Sequence, residues 1–359
     1  MRAVLFFIYT VTTMSLALYR KYRPSGFMEV LGQEHIVETL KGAIKEGHIA
    51  HAYLFAGSRG TGKTSLARIL AREIGCTDKD LYEIDAASHT GVDDIREIRE
   101  GVATLPFESP YKVYIIDEAH MLSKAAFNAL LKTLEEPPKH VVFVLATTEV
   151  EKLPETIVSR CQAFTFRKPS RTILKKMIER VAKAEGFTLE PAAGDLVALL
   201  ADGSFRDAHG ILQKVIGTSK DKKVSLAEVE LVTGSPRGAL VNDVLVAVGK
   251  RDVASALGAV RKVADANVDM KVFITLLLEK MRAVLLLKFA PDMRKDVLGQ
   301  FTDEDAAFLE SCGKEKESRL NSAALAALLD AYAATGRSAI PQLPLELALM
   351  DLLEKKSTG

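Results

Sequence analysis

The sequence predicts an α/β domain built on a parallel sheet, followed by two domains made of helices. Between residues 52 and 148, short apolar runs alternate with amphipathic segments of helical spacing. Two of the runs, 113–116 and 141–145, are apolar throughout, as is typical of strands buried on both faces of a parallel sheet. After residue 166 the strand signals stop, and segments with apolar residues at i, i+3 and i+4 continue to residue 356.

The first predicted strand leads into a phosphate-binding loop. Residues 52–56 (AYLFA) predict a short strand, residues 57–64 read GSRGTGKT, and residues 65–73 have helical composition. A strand, a G-x-x-x-x-G-K-T loop and a helix in this order form a P-loop, in which backbone N–H groups converge on nucleotide phosphates. The residues expected to bind ATP are Gly57, Ser58, Arg59, Gly60, Thr61, Gly62, Lys63, Thr64 and Ser65.

A second motif supplies two acids. Residues 113–120 read VYIIDEAH, an apolar strand that ends in Asp117 and Glu118. We expect Thr64 and Asp117 to hold Mg²⁺, and Glu118 to polarise the attacking water. Lys63 would reach the β and γ phosphate oxygens. Together the two motifs predict that the chain binds and hydrolyses ATP.

The other elements of the first domain follow from local patterns. Residues 81–84 predict a further strand, and residues 91–102 and 123–134 predict helices because their apolar residues recur at helical spacing. Ser123 is the expected N-cap of the second helix, and two consecutive prolines after residue 136 stop it.

Three polar residues outside these motifs are further candidates. Thr148 follows the strand 141–145, where its hydroxyl could orient the attacking water beside the acid-tipped strand. Arg160 could neutralise phosphoryl charge in a neighbouring subunit. Arg206, in the GSFRDAH of residues 203–209, could reach the γ-phosphate from a separate small domain. Taken alone, a strand-end threonine more often caps a turn, and a single arginine usually lies on the surface or in a surface ion pair.

The composition limits the classes of function. The chain has 359 residues, of which 48% are hydrophobic and 26% charged, so a folded protein of two or three domains is expected. Its net charge of +1 carries no global basic field, and any contact with DNA must come from a local patch or from helix N-termini. The three cysteines are far apart and odd in number, which argues against a disulfide framework and favours a reducing cytoplasm.

The N-terminal segment has the outline of a signal sequence or short anchor, because residues 3–19 are nearly uncharged and follow Arg2. Hydroxylated residues interrupt this run, and no small-residue cleavage site precedes a mature domain. We therefore expect no membrane association. Met14 is the expected start, and residues 1–13 are expected to be a frame-reading extension or a disordered tail.

The predicted domain boundaries follow the changes in pattern. Residues 14–168 form the nucleotide-binding domain, and residues 169–232 form a small helical domain in which a proline and two glycines separate three helical segments. Residues 233–359 form a third domain, all helical and rich in Leu and Ala. Such helices predict either an oligomerisation collar or an ordinary bundle core.

Several sequence blocks, taken in order, resemble one family. They are YRKYRPSGFMEVL at 19–31, the P-loop, EIDAAS at 83–88, NALLKTLEEPP at 128–138, LATT at 145–148, SRC at 159–161 and GSFRDAH at 203–209. Through them the chain resembles the gamma/tau-type subunits of the bacterial DNA polymerase III clamp loader. The resemblance runs from about residue 17 to residue 207, and the C-terminal third resembles the family's collar domain in composition and length only.

The resemblance implies an AAA+ ATPase with a P-loop NTPase core, a helical lid domain and an all-α collar domain. Such a subunit works in a five-subunit ring with other clamp loader subunits, opens a ring-shaped sliding clamp and closes it round primed DNA. Helix starts near Thr90-Gly91 and at Ser123-Lys124 are the candidates for contacts with the DNA backbone.

Residue roles are also implied by the resemblance. Lys63 and Thr64 match the phosphate-loop pair, and Asp117 and Glu118 match the metal-binding and water-activating acids. In addition, Thr148 matches the first sensor, Arg160 the finger that acts on a neighbouring subunit, and Arg206 the second sensor. The segment Tyr22, Arg23 and Pro24 matches the one that borders the adenine.

The chain departs from many family members in two respects. Many members carry a four-cysteine zinc module before EIDAAS, whereas residues 75–82 here read GCTDKDLY with Cys76 as the sole cysteine. We therefore expect ATP and Mg²⁺ but no zinc. The sequence ends at Gly359 without the long tail of tau-length members, so it resembles the short, gamma-like form.

Three alternatives remain at this stage. The first is the small subunit of an archaeal or eukaryotic loader, which shares SRC and similar acids. The second is a loader subunit that binds nucleotide as a scaffold without hydrolysing it; such subunits typically lose the lysine or threonine of the P-loop, and both are present here. The third is an AAA+ helicase or branch-migration motor, which would need pore loops or a DNA-reading domain that the sequence patterns do not indicate.

Overall fold

The structure is a computed structural model that describes residues 16–88, 98, 100–236, 238–266, 268–314 and 319–354. The chain forms two compact units, one comprising Met1–Leu174 and Gly203–Gln213, the other Lys175–Asp202 and Lys214–Gly359. The predicted N-terminal extension, the helix start at Thr90-Gly91 and most of the predicted helix 91–102 lie outside the described residues. The division into three domains stays a prediction.

The first unit is built on a parallel sheet whose strand order is β2-β3-β4-β1-β5. The strands are β1 (Ala52–Ala56), β2 (Leu81–Asp85), β3 (Lys112–Asp117), β4 (Val141–Thr147) and β5 (Gln162–Thr165). Every residue of β1 and β4 is buried, and they pair in register from Ala52 opposite Phe143 to Ala56 opposite Thr147. Their continuous apolar sequences therefore mark the centre of the sheet.

Helices cover both faces of this sheet. They are α2 (Glu34–Lys45), α3 (Lys63–Glu73), α4 (Lys124–Glu135) and α5 (Glu155–Val158), and a short helix, α1 (Leu18–Lys21), precedes them in the chain. One core lies under α2 and α3 and includes Leu40, Leu70 and Phe55, while the other lies under α4 and α5. The Ser123 Oγ accepts a hydrogen bond from the Ala126 N–H at 3.2 Å, which confirms the predicted N-cap of α4.

The four strands predicted from the sequence are present, and a fifth was missed. Three of the four residues of the edge strand β5 are exposed, so their hydrophobicity shows no pattern of burial. Main-chain pairing with β1, from Tyr53 opposite Gln162 to Ala56 opposite Thr165, makes this segment a strand. Phe166, which follows β5, donates its N–H to the Ala56 carbonyl at 2.7 Å and lies against Gly57, the first residue of the loop after β1.

Helices and two very short strands follow the sheet. They are α6 (Arg171–Ala184), β6 (Thr188–Leu189), α7 (Pro191–Leu200), α8 (Phe205–Thr218), β7 (Lys223–Val224) and α9 (Leu226–Thr233). The expectation that no strand follows residue 166 is wrong, because β6 and β7 pair in parallel. Two residues are too few to show a strand period in a sequence.

The rest of the second unit is helical. Its helices are α10 (Gly238–Lys250), α11 (Val253–Asp265), α12 (Met270–Phe289), α13 (Arg294–Leu298), α14 (Asp303–Lys314), α15 (Ser322–Thr335) and α16 (Leu343–Glu354). Phe273, Leu277 and Met281 of α12 are fully buried in the core of these helices. The core also contains the Lys280 ammonium, which donates to Asp305 Oδ1 at 2.5 Å and to Asn242 Oδ1 at 2.9 Å.

Among the described residues, none of the helices has the length and apolar character needed to cross a membrane.

Candidate active site

Glycines shape the loop between β1 and α3. Gly57, Gly60 and Gly62 have φ angles of +152°, +75° and +101°, which side chains disfavour. A Cβ on Gly60 would lie 2.0 Å from Ser204 Oγ, and the Gly60 carbonyl accepts a hydrogen bond from the Phe205 N–H at 2.9 Å. The loop is therefore held from outside by the residues that begin α8.

Lys63 begins α3 and folds its side chain back over this loop. Its Nζ donates to the carbonyl oxygens of Gly57 at 2.7 Å and Ser58 at 3.0 Å, and the residue is buried. Burial lowers the pKa of the Lys63 ammonium, while the carboxylates of Glu118 and Asp117 act in the opposite direction. The loop, the ammonium and the two acids thus occupy one site.

The other predicted loop residues differ in exposure. Thr61 is buried and its hydroxyl donates to the Ser58 carbonyl at 2.9 Å, which closes the loop on itself. Arg59 is exposed at the loop surface, and Ser65 is half-buried in the first turn of α3. That Arg59 and Ser65 contact the nucleotide stays a prediction.

The two predicted magnesium ligands lie side by side. The Thr64 hydroxyl donates to Asp117 Oδ2 at 2.7 Å, and Asp117 Oδ1 accepts the N–H of Glu118 at 3.0 Å. A hydroxyl and a carboxylate are the oxygen donors that Mg²⁺ prefers, and Mg²⁺ is usually held by one or two protein groups together with substrate phosphates. The residues present therefore fit this ion.

Glu118 is held in an unusual conformation at the end of β3. Its φ of +48° places it in the left-handed region, which costs a residue with a side chain on the order of 1–3 kcal/mol. Its Oε2 accepts a hydrogen bond from the Thr148 hydroxyl at 3.1 Å. The structure thus brings the predicted water-activating acid and the predicted first sensor together across the carboxyl ends of β3 and β4.

A histidine that sequence reasoning missed lies beside this pair. The side chain of His120 is 7% exposed, with Nδ1 at 3.1 Å from Thr147 Oγ1 and 3.6 Å from Glu118 Oε2, and Nε2 at 3.3 Å from Glu149 Oε1. The signal was available, because His120 ends the motif DEAH that supplies both acids. Its importance depends on Thr147 and Glu149, which are distant in sequence.

The second predicted arginine and the N-terminal segment meet near the loop. The Arg206 guanidinium lies 5.7 Å from the centre of the Tyr19 ring, and it is one of the charges that lower the pKa of Lys63. The rings of Tyr22 and His209 are nearly parallel with centres 6.5 Å apart.

Arg23 belongs to a concentration of positive charge. Burial first, then the nearby guanidinium of Arg68, lowers the pKa of Arg23, and Arg206 adds to this effect while Glu83 opposes it. Pro24 follows in a half-buried position. Cations gathered in this way beside a phosphate-binding loop favour a polyanionic ligand.

Arg160 differs from the other predicted site residues. Its guanidinium donates to the Thr156 carbonyl and to Glu135 Oε1, both at 2.7 Å. Within the part of the chain that the structure describes, it makes no hydrogen bond to the phosphate loop. The structure therefore brings Arg206 to the loop of its own chain and leaves Arg160 outside that site.

The sheet order and the site define the protein class. A parallel sheet with strand order β2-β3-β4-β1-β5, a P-loop after β1, acids after β3 and a polar residue after β4 define an AAA+ P-loop nucleotide-binding protein. The solved structure of the Thermotoga maritima RuvB Holliday junction branch migration motor has this fold. It matches with a TM-score of 0.52 and 24% identity over 63% of this chain and 79% of that chain.

Sequence comparisons identify the family. Residues 32–89 and 78–170 match the profile described as "DNA polymerase III, delta subunit", and residues 224–358 match "DNA polymerase III subunits gamma and tau domain III". The DNA polymerase III subunit gamma/tau of Mycobacterium tuberculosis is 41% identical over 301 residues, and the DNA polymerase III subunit tau of Bacillus subtilis is 40% identical over 298 residues. The chain belongs to the gamma/tau family of DNA polymerase III subunits.

The matched regions cover different shares of the compared proteins. Each match covers 77% of this chain, and it covers 52% of the Mycobacterium protein and 53% of the Bacillus protein. The chain thus spans about half the length of the curated relatives it matches.

Proposed function

We propose that this chain is the ATP-hydrolysing motor subunit of a replicative clamp loader, which couples ATP binding and hydrolysis to the loading of a sliding clamp onto primed DNA. One observation carries the proposal: a single edge of the sheet joins the P-loop lysine, the Thr64–Asp117 pair and the Glu118–Thr148 pair. Binding alone would need the first two groups. Hydrolysis also requires the third group, the Glu118–Thr148 pair.

The chain's residues divide the work of hydrolysis. The N–H groups of the loop and the Lys63 ammonium hold the phosphates, with Thr64 and Asp117 as the groups that would hold Mg²⁺. When bound, Mg²⁺ supplies charge that stabilises the phosphoryl oxygens. Glu118, which accepts the Thr148 hydroxyl, polarises the attacking water, and Thr148 helps to orient that water. Arg206 adds positive charge near the γ-phosphate.

The partners of this activity follow from family membership and are part of the proposal. They are the other clamp loader subunits in a five-subunit ring, the sliding clamp and primed DNA, and we place the protein in the cytoplasm. Ser123 and Lys124, both exposed at the N-terminus of α4, are the DNA-contact candidates within the described residues. No zinc is needed for this function.

The competing proposal is a scaffold subunit that binds nucleotide without turnover. Glu118 separates the two, because a scaffold has no use for a carboxylate held in a strained conformation beside a hydroxyl. The Thr64–Asp117 pair alone would suit either function.

The test is ATP hydrolysis by purified wild-type protein and by Glu118→Gln, alone and in the reconstituted loader with clamp and primed DNA. We expect the wild type to turn over ATP and the variant to bind ATP equally well while its turnover falls ~10²-fold or more. If the wild type and Glu118→Gln hydrolysed ATP at the same rate, Glu118 would have no role in the mechanism. A wild type that binds but never hydrolyses ATP would establish the scaffold, and stimulation by DNA without clamp would indicate a helicase-type motor.

A further inference from the structure

Residues at the C-terminal end of β4 contact two different side chains of the DEAH motif at residues 117–120. Thr148 donates its hydroxyl to Glu118 Oε2 at 3.1 Å. The residues on either side of it, Thr147 and Glu149, approach the two nitrogens of His120 at 3.1 and 3.3 Å. Glu118 and His120 are therefore anchored on one tripeptide, 147–149.

The hydrogen-bond inventory determines how His120 sits. The Glu149 carboxylate can only accept, so Nε2 of His120 carries the proton that faces it. The Thr147 hydroxyl, whose oxygen also accepts the Glu149 N–H at 3.1 Å, makes the contact at Nδ1 and has both a hydrogen to donate and a lone pair to accept with. The imidazole is thus oriented by one contact at each nitrogen.

Because the His120 imidazole is buried, it has little room to move. The His120 side chain is 7% exposed, whereas those of Glu118 and Glu149 are 32% and 38% exposed. The imidazole fills the space beside the Glu118 carboxylate, with Nδ1 at 3.6 Å from Oε2. Glu149 in turn forms an ion pair with the Lys152 ammonium at 2.7 Å, which helps to fix its carboxylate beside His120.

We propose that His120 and Glu149 are positioning residues for Glu118: Glu149 and Thr147 orient the imidazole, and the imidazole confines the Glu118 carboxylate to the face where the attacking water is polarised. This inference rests on the proposed function. The chemistry remains with Glu118, and His120 acts through it. A displacement of about 1 Å at a catalytic group can cost ~10² in rate, which sets the scale of the expected effect.

The kinetic test is a double-mutant cycle on the full chain. We expect His120→Leu to lower kcat for ATP ~10-fold to ~10²-fold while the Kd for a fluorescent ATP analogue stays within about 2-fold. His120→Asn, which keeps a hydrogen-bonding amide near the Nδ1 position, should restore part of kcat. Because His120 acts through Glu118, His120→Leu should cause no further loss when added to Glu118→Gln. His48→Leu is the matched control, since His48 lies in an exposed contact with Glu46.

A spectroscopic test does not depend on turnover. Histidine ¹⁵N spectra of the protein, which has seven histidines, should contain a signal that disappears in His120→Leu and shifts in Glu149→Leu. A His120 signal that is unchanged in Glu149→Leu would overturn the proposal. The proposal would also be overturned if the kcat losses from His120→Leu and Glu118→Gln multiplied in the double variant. A wild type without ATP turnover would instead overturn the proposed function, and the positioning role with it.

Discussion

At Gly60 the backbone leaves no room for a side chain. Its φ is +75°, and an added Cβ would lie 2.0 Å from Ser204 Oγ and 3.3 Å from Ser204 Cα. A methyl group would therefore have to displace the start of α8 and, with it, the neighbouring Arg206. Positive φ alone costs an alanine about 1 kcal/mol, and the contact with Ser204 adds to this.

We expect Gly60→Ala to weaken ATP binding ~10-fold or more and to lower the free energy of unfolding by about 1–3 kcal/mol. The measurements are isothermal titration calorimetry and chemical denaturation. Gly42→Ala is the control, because Gly42 lies within α2 and an added Cβ there meets no atom within 4 Å. That change should leave binding intact and raise stability by about 0.5–1 kcal/mol. Equal behaviour of the two variants would contradict this view of the loop.

Arg160 is the residue whose predicted role requires a neighbouring subunit. Its guanidinium is held by Thr156 and Glu135 on the surface of the first unit, and its side chain is 34% exposed. An exposed ion pair of this kind contributes about 0–1 kcal/mol to stability, so the fold does not require it. The hypothesis that Arg160 acts on a neighbouring subunit's nucleotide remains a prediction.

We expect Arg160→Ala to leave the ATP affinity of the isolated subunit nearly unchanged and to depress turnover of the assembled ring ~10³-fold, as the loss of an arginine finger does. Mixing Arg160→Ala subunits with Lys63→Ala subunits should restore partial turnover, because mixed interfaces then combine an intact loop with an intact arginine. Rings that assemble from this mixture but recover no turnover would show that Arg160 acts within its own chain or only in folding.

Among the elements, the connection between α3 and β2 shows how a buried carboxylate organises a loop. Asp80 is fully buried and accepts the N–H groups of Phe107, Glu108 and Ser109 at 2.5, 3.0 and 2.9 Å. Burial would raise the pKa of Asp80, but these hydrogen bonds outweigh it and lower the pKa to about 2. Asp80 thereby joins the connection that follows α3 to the segment that precedes β3.

This shift predicts a pH dependence of stability. The pKa of Asp80 is lower in the folded than in the unfolded protein, so its contribution is present above about pH 4 and is lost as pH falls towards 2. Asp80→Asn places amide hydrogens opposite N–H donors, and we expect it to lower the free energy of unfolding at pH 6 by about 1–3 kcal/mol. Denaturation at pH 6, 4 and 3 should show the difference between the two proteins narrowing with acidity. A difference that stays constant would contradict the assigned pKa.

For the whole molecule, nucleotide binding should appear as stabilisation of the folded state. A ligand at 100 times its Kd adds about 2.7 kcal/mol to the free energy of unfolding of the part that binds it. Because the loop, the acids and Arg206 all belong to the first compact unit, that unit should gain the stabilisation directly. Two units also mean that one unfolding temperature need not describe the chain.

We expect Mg-ATP to raise the unfolding temperature of wild-type protein in scanning calorimetry, and Lys63→Ala to abolish most of the rise because it deletes the charged contact to the phosphates. Lys45→Ala is the control, since Lys45 is exposed in the last turn of α2. A Lys63→Ala protein that gains as much stability as the wild type would place nucleotide binding elsewhere.

Sequence patterns alone determined the class of the first unit and most of its elements. Long apolar strands, a P-loop with its flanking strand and helix, and a capped helix at Ser123 depend on interactions within a few residues, so their periods and letters are visible in the chain. The edge strand β5 and the pair β6–β7 were not predictable in this way, because their pairing depends on partners elsewhere in the chain.

At the site the same division holds. The P-loop and DEAH motifs predicted Lys63, Thr64, Asp117 and Glu118 as site residues because each motif is continuous in the sequence. Only the tertiary structure shows that the tripeptide 147–149 lies beside the acids, that His120 contacts this tripeptide and that Ser204 packs against Gly60. Parallel strands end at a common edge of the sheet, and chain segments far apart in sequence become neighbours there. Local sequence therefore determined which reactive side chains are present, and the strand order determined which of them lie together at the site.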